Sequence, residues 1–163
     1  MILGMEPFTA VHVLLSLIGI FSGLVVLFGL CTANPMNGWT LLFLATTLAT
    51  SVTGFFFPIH GFTPGLGVGT LSIFILAVTI IARYGFHLAG AWRWLYVVGA
   101  VAALYFNSFV LVVQAFLKIP LLHALAPTGS GPIFALAQGV ALAFYLVTGY
   151  VAVKRFRLAV PSP

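Results

Sequence analysis

Four histidines, one glutamate and a few side-chain amides are the residues in this 163-residue chain best equipped to do chemistry. Neutral imidazole is the commonest metal ligand in proteins. His12, His60 and His123, with Glu6 as the only carboxylate side chain, form a candidate ligand set for a transition metal such as Zn²⁺ or Cu²⁺. Two imidazoles at similar depth on neighbouring helices also suit the axial positions of a b-type haem, which makes His12 and His60 candidate cofactor ligands. Gln114 and Gln138 are the amides placed to line such a site. No HExxH or CxxCH spacing accompanies them, so the signal is one of position alone. The competing role for interfacial histidines is hydrogen bonding to headgroups, water and carbonyls.

The scarcity of acids excludes more than the histidines suggest. With one Asp or Glu against six Lys or Arg, the chain lacks the carboxylates for paired-acid glycoside hydrolysis, aspartic-protease chemistry or a Ser-His-Asp triad. Oxygen-rich Ca²⁺ or Mg²⁺ cages are excluded on the same ground. Cys31 is the only cysteine, so neither an intramolecular disulfide nor a thiolate metal cluster can form. The net charge of +5 is spread among apolar stretches and makes no phosphate-binding surface for nucleic acid; orientation in a membrane accounts for it better.

Composition then dictates the elements that hold these residues. Charged residues make up 4% of the chain and hydrophobic ones 63%, whereas a soluble domain carries about a quarter charged residues. Lipid must be the main solvent. The expected fold is a single all-α integral membrane domain, a five-helix transmembrane bundle with spans at about 8–30, 39–58, 66–83, 95–117 and 132–153. The connections contain Gly, Pro or Asn, which stop helices. The third span is the shortest, and four spans with that stretch re-entrant is the alternative. The N-terminus lacks the basic region of a cleavable signal peptide and runs directly into the first span.

Five spans place Arg83, Arg93, Lys154, Arg155 and Arg157 at one end of the bundle and only Lys118 at the other. By the positive-inside rule the C-terminus is cytoplasmic and the N-terminus outside, in a bacterial inner membrane. Trp39, Trp92 and Trp94 fall at the cytoplasmic interface, where an aromatic belt is expected. Glu6, His12, His60, Gln114, His123 and Gln138 all come to the outer side. Residues 120–126, beginning at Pro120, read as a short interfacial helix there.

Polar and small residues mark the faces where spans meet, because lipid-facing positions need only be apolar. His12, Ser16, Gly19 and Gly23 make one such face in the first span, and Thr46, Thr50, Thr53, Phe57 and His60 another in the second. Asn107 and Gln114 share a face in the fourth span, and Gln138 and Tyr145 in the fifth. The third span, with Thr70, Ser72 and Thr79, reads as more peripheral. Phe55, Phe56 and Phe57 can wall a quinone, a haem edge or a lipid tail, or simply anchor the interface. Arg83 and His87, four apart, with Arg93 nearby, make a candidate site for an anionic lipid headgroup on the cytoplasmic side, or else a positive-inside anchor.

These residues point first to a small membrane protein without catalysis of its own. It would act as an accessory subunit, or as a bundle that binds lipid or a small molecule, beside a membrane-protein partner or a second copy. The alternative is a redox or metal protein, haem-bearing or metal-bearing and linked to quinone electron transfer. A small transporter using Asn107 and Gln114 is the third reading.

Overall fold

The computed structural model describes residues 6–57, 64–127 and 130–157. Among them the chain is all-helical, without strands. The elements are α1 (Pro7–Cys31), α2 (Asn37–Gly54), α3 (Pro64–Ile80) continued by a π turn (Ile81–Gly85), α4 (Trp92–Lys118), α5 (Pro120–Leu125) and α6 (Pro132–Arg155). Proline opens α1, α5 and α6, where its missing N–H costs nothing and its fixed φ is already helical. Short α5 occupies the segment expected to be an interfacial helix.

Four of these helices are long and apolar enough to cross a membrane: Pro7–Cys31, Gly65–Gly85, Trp92–Lys118 and Pro132–Arg155. The third expected span, read from sequence as the weakest, is therefore among the four. The π turn lengthens it to 21 residues. The segment that falls short is α2, with 18 residues that include Thr40, Thr46, Thr47, Thr50, Ser51 and Thr53. Those hydroxyls lower its apolarity, yet it is packed between its neighbours. Thr40, Phe43, Leu44, Thr46 and Thr47 are all buried.

The helices alternate in direction, with α1 packed chiefly on α2, α3 on α4, and α4 on α6. Close approach of α1 depends on glycine. A Cβ at Gly23 would lie 2.6 Å from Leu104 Cδ1 and 2.8 Å from Phe43 Cε2; one at Gly19 would lie 3.0 Å from both Asn107 Nδ2 and Thr47 Oγ1. The stripe His12–Ser16–Gly19–Gly23 is thus the face that α1 turns toward α2 and α4.

The bundle has two unlike halves. Val26, Leu27 and Leu30 of α1 pack with Phe43, Leu44, Leu76, Tyr96, Val97, Ala100 and Leu104 into a dense apolar core. That core occupies the half around the C-terminal end of α1. Toward the N-terminal end of α1 the facing positions become Ser, Thr, Asn and Gly, and the packing opens. The broad face of α6 carrying Leu136, Val140, Leu146, Val147 and Tyr150 is exposed, as a lipid-facing helix requires. Gly65–Gly85 and α6 are the least buried of the four long helices.

Candidate functional site

In the open half lies a cavity of about 620 Å³, walled by α1, α2, α3 and α4. Its volume falls within the range of about 300–1,000 Å³ typical of small-molecule sites. The lining is mostly apolar, and the polar groups cluster in two bands. Deep inside stand Ser16, Thr47, Thr50 and Asn107; near the mouth stand His12, Gln114 and Lys118.

The deep band is built by the small-residue stripe of α1. With Gly19 in place of a larger residue, Asn107 and Thr47 reach the α1 surface. Ser16 Oγ donates to Asn107 Oδ1 at 2.8 Å, and Asn107 Nδ2 donates to the Ser16 carbonyl at 3.4 Å. Asn107 is 8% exposed and Thr47 2%. Unlike Thr46, whose hydroxyl returns to the Leu42 carbonyl at 2.7 Å, Thr47 and Thr50 have buried hydroxyls with no hydrogen-bond partner among the described residues. A buried hydroxyl without a partner costs free energy, by about 1–3 kcal/mol in mutational data. A bound molecule that hydrogen-bonded them would recover it.

His12 is held by α2. Its Nδ1 lies 2.8 Å from Thr53 Oγ1, and the Thr53 hydroxyl donates to the Ala49 carbonyl at 2.8 Å. The contact with Thr53 fixes the orientation of the imidazole ring. Phe57 packs edge-on against the ring with centroids 5.0 Å apart, and Phe8 against Phe57 at 5.0 Å. Phe55 and Phe57 both line the cavity, while Phe56 is turned outward.

The structure gathers some of the sequence-predicted site residues and separates others. His12 and Gln114 line the same cavity. Gln138 does not; it is buried at the α4–α6 contact, where its Nε2 donates to the Phe109 carbonyl at 3.2 Å. Tyr145, its partner in spacing, shares a 2.7 Å hydrogen bond with Ser108. His60 falls outside the described residues. Glu6 precedes α1, exposed and making no side-chain cap, and His123 is exposed on α5. Among the described residues no three of the His, Cys, Asp and Glu side chains converge on a metal position.

Thr9, Thr47 and Ser51 line the cavity without having been singled out in the sequence, and Ser72 and Lys118 were read there only for packing and for orientation. The periodicity contained a signal for two of them. Thr47, Ser51 and Gly54 recur at spacings of four and three, one step round from the Thr46–Thr50–Thr53 face.

At the opposite end Arg83 and His87 line a second pocket, of about 680 Å³, beside the α1–α2 turn. Arg93 is engaged elsewhere, donating from Nη1 to the carbonyls of Val153 and Phe156 at the end of α6. No protein-family model, curated protein or solved structure matches this chain.

Proposed function

We propose that this protein is a small polytopic membrane protein without catalysis of its own, whose α1–α4 cavity binds an amphipathic small molecule. The observation that carries this reading is the pair of buried hydroxyls of Thr47 and Thr50, without a partner among the described residues, inside a largely apolar cavity. Hydroxyls can donate, and so can Lys118 and the Gln114 amide at the mouth. A head bearing acceptor oxygens, as in a quinone or a lipid ester, complements them, with its apolar part against Phe55, Phe57 and the aliphatic wall.

In this reading all five long helices cross the bilayer, α2 included, because its hydroxyls face α1, the cavity or its own backbone rather than lipid. The N-terminus lies outside, so the cavity opens in the outer leaflet with Lys118 at its mouth, and the other Lys and Arg residues face the cytoplasm. Of the two non-catalytic roles suggested by composition, the cavity favours binding over a purely structural subunit.

A cavity-filling substitution tests the site. A Cβ at Gly69 makes only ordinary contacts, the nearest at 3.5 Å to Phe55 Cε2, so Gly69→Leu extends into the cavity without a backbone clash. A short-chain quinone should raise the thermal midpoint of the wild-type protein in mild detergent and leave that of Gly69→Leu unmoved. An equal rise in both would place the binding elsewhere.

A further inference from the structure

We propose that the pocket beside the α1–α2 turn binds a phosphate-bearing anion, with Arg83 as its cationic anchor and the N-terminus of α2 as its second pole. Arg83 sits on the π turn and is only 8% exposed, although guanidinium is always charged. Its Nη2 donates to Asn37 Oδ1 at 2.7 Å and to the Pro35 carbonyl at 3.2 Å. Its guanidinium carbon lies 4.9 Å from the centre of the Tyr96 ring and 5.8 Å from that of Tyr84. These are neutral partners. Nη1 is itself buried and has no hydrogen-bond acceptor among the described residues.

A buried charge persists only when paired or richly hydrogen-bonded. The chain cannot supply the pairing charge from a side chain, since its only carboxylate, Glu6, precedes α1 at the far end of the bundle. Among the described residues no side chain supplies the counter-charge, and a bound anion would. The pocket that Arg83 lines also contains Asn37 and Gly38, the first residues of α2. The N-cap, Met36, makes no side-chain cap, so the positive end of the α2 dipole faces this pocket without a capping oxygen. His87 completes the rim. An orphaned guanidinium arm beside an uncapped helix start is a complement to tetrahedral phosphate oxygens. At this end of the bundle that phosphate belongs either to an anionic lipid headgroup or to a soluble phosphate.

Titration calorimetry of the full chain in maltoside micelles separates these sources. The ligands are short-chain phosphatidylglycerol, short-chain phosphatidylcholine and inorganic phosphate. Wild type and the surface control Lys154→Gln should bind phosphatidylglycerol more tightly than phosphatidylcholine, and Arg83→Gln should lose about tenfold or more of that affinity. Because Arg83→Gln also removes interior contacts, Gly38→Glu provides a second test. A Cβ at Gly38 meets nothing within 4 Å, and a carboxylate in the first turn of α2 is favoured by the dipole. That substitution should raise thermal stability and abolish anion binding by supplying the missing charge from within. Binding of phosphatidylglycerol without inorganic phosphate assigns the site to a lipid headgroup; binding of both assigns it to the phosphate group itself. A wild type that neither prefers phosphatidylglycerol nor binds inorganic phosphate overturns the proposal, as does unchanged anion binding by Gly38→Glu.

Discussion

The contact between Ser16 and Asn107 joins α1 to α4 across the floor of the cavity, and its strength can be worked out before it is measured. At 2.8 Å the bond from Ser16 Oγ to Asn107 Oδ1 has ideal length, whereas the 3.4 Å return from Asn107 Nδ2 to the Ser16 carbonyl lies beyond the usual range and adds little. Hydrogen bonds between transmembrane helices average about 0.6 kcal/mol and reach about 1.7 kcal/mol. A single good bond, with one partner 8% exposed, belongs in the upper part of that range, so the expected coupling is about 1–1.7 kcal/mol. The assay is a double-mutant cycle of wild type, Ser16→Ala, Asn107→Ala and the double variant, each unfolded reversibly in mixed micelles and followed by far-ultraviolet circular dichroism. The cycle removes whatever each truncation does alone and leaves the pair term. Additivity of the two substitutions within about 0.3 kcal/mol would refute the arrangement of the cavity floor described above.

Three other outcomes follow from the same packing. Gly23→Ala forces Leu104 and Phe43 to retreat by about 1 Å, since carbon atoms prefer separations of about 3.5–4.0 Å. Overpacking of about 1–3 kcal/mol then exceeds the roughly 1 kcal/mol gained in helix propensity over most of its range, and the unfolding midpoint should fall. Ala33, with φ of 59°, occupies the left-handed position that ends α1, where the Asn34 N–H returns to the Gly29 carbonyl at 2.8 Å. Ala33→Gly should therefore stabilise the protein by about 1 kcal/mol, read as a raised midpoint in the same unfolding assay. For topology, a membrane-impermeant maleimide applied to intact cells in a Cys31→Ala background should label Pro127→Cys and spare Arg157→Cys; the reverse pattern would invert the orientation.

Much of this architecture could be read from the chain because lipid imposes a one-sided rule: polar and small residues must turn inward. That rule made the His12–Ser16–Gly19–Gly23 face visible, and it placed Asn107 and Gln114 on one side of α4, where both line the cavity. It does not say which neighbour a face meets. Gln138 and Tyr145 share a face of α6 as spacing requires, but that face meets α4 away from the cavity. Length ranked the third span as the weakest, and the π turn that carries it on to Gly85 has no signature in composition. Arg83 read equally well as a surface anchor, and its burial follows from packing against Pro35, Asn37 and Tyr96, contacts remote in sequence. Lys118 was placed by charge alone, and its position at the cavity mouth depends on how α4 rotates against α1.

The central claim is that the α1–α4 cavity holds an amphipathic molecule. Native mass spectrometry of the protein purified in mild detergent tests it most directly. The expected spectrum of wild type shows the chain plus one discrete small-molecule mass, recovered by solvent extraction, and the Gly69→Leu spectrum shows the bare chain alone. A bare wild-type chain, or an identical bound mass in wild type and Gly69→Leu, would contradict the account.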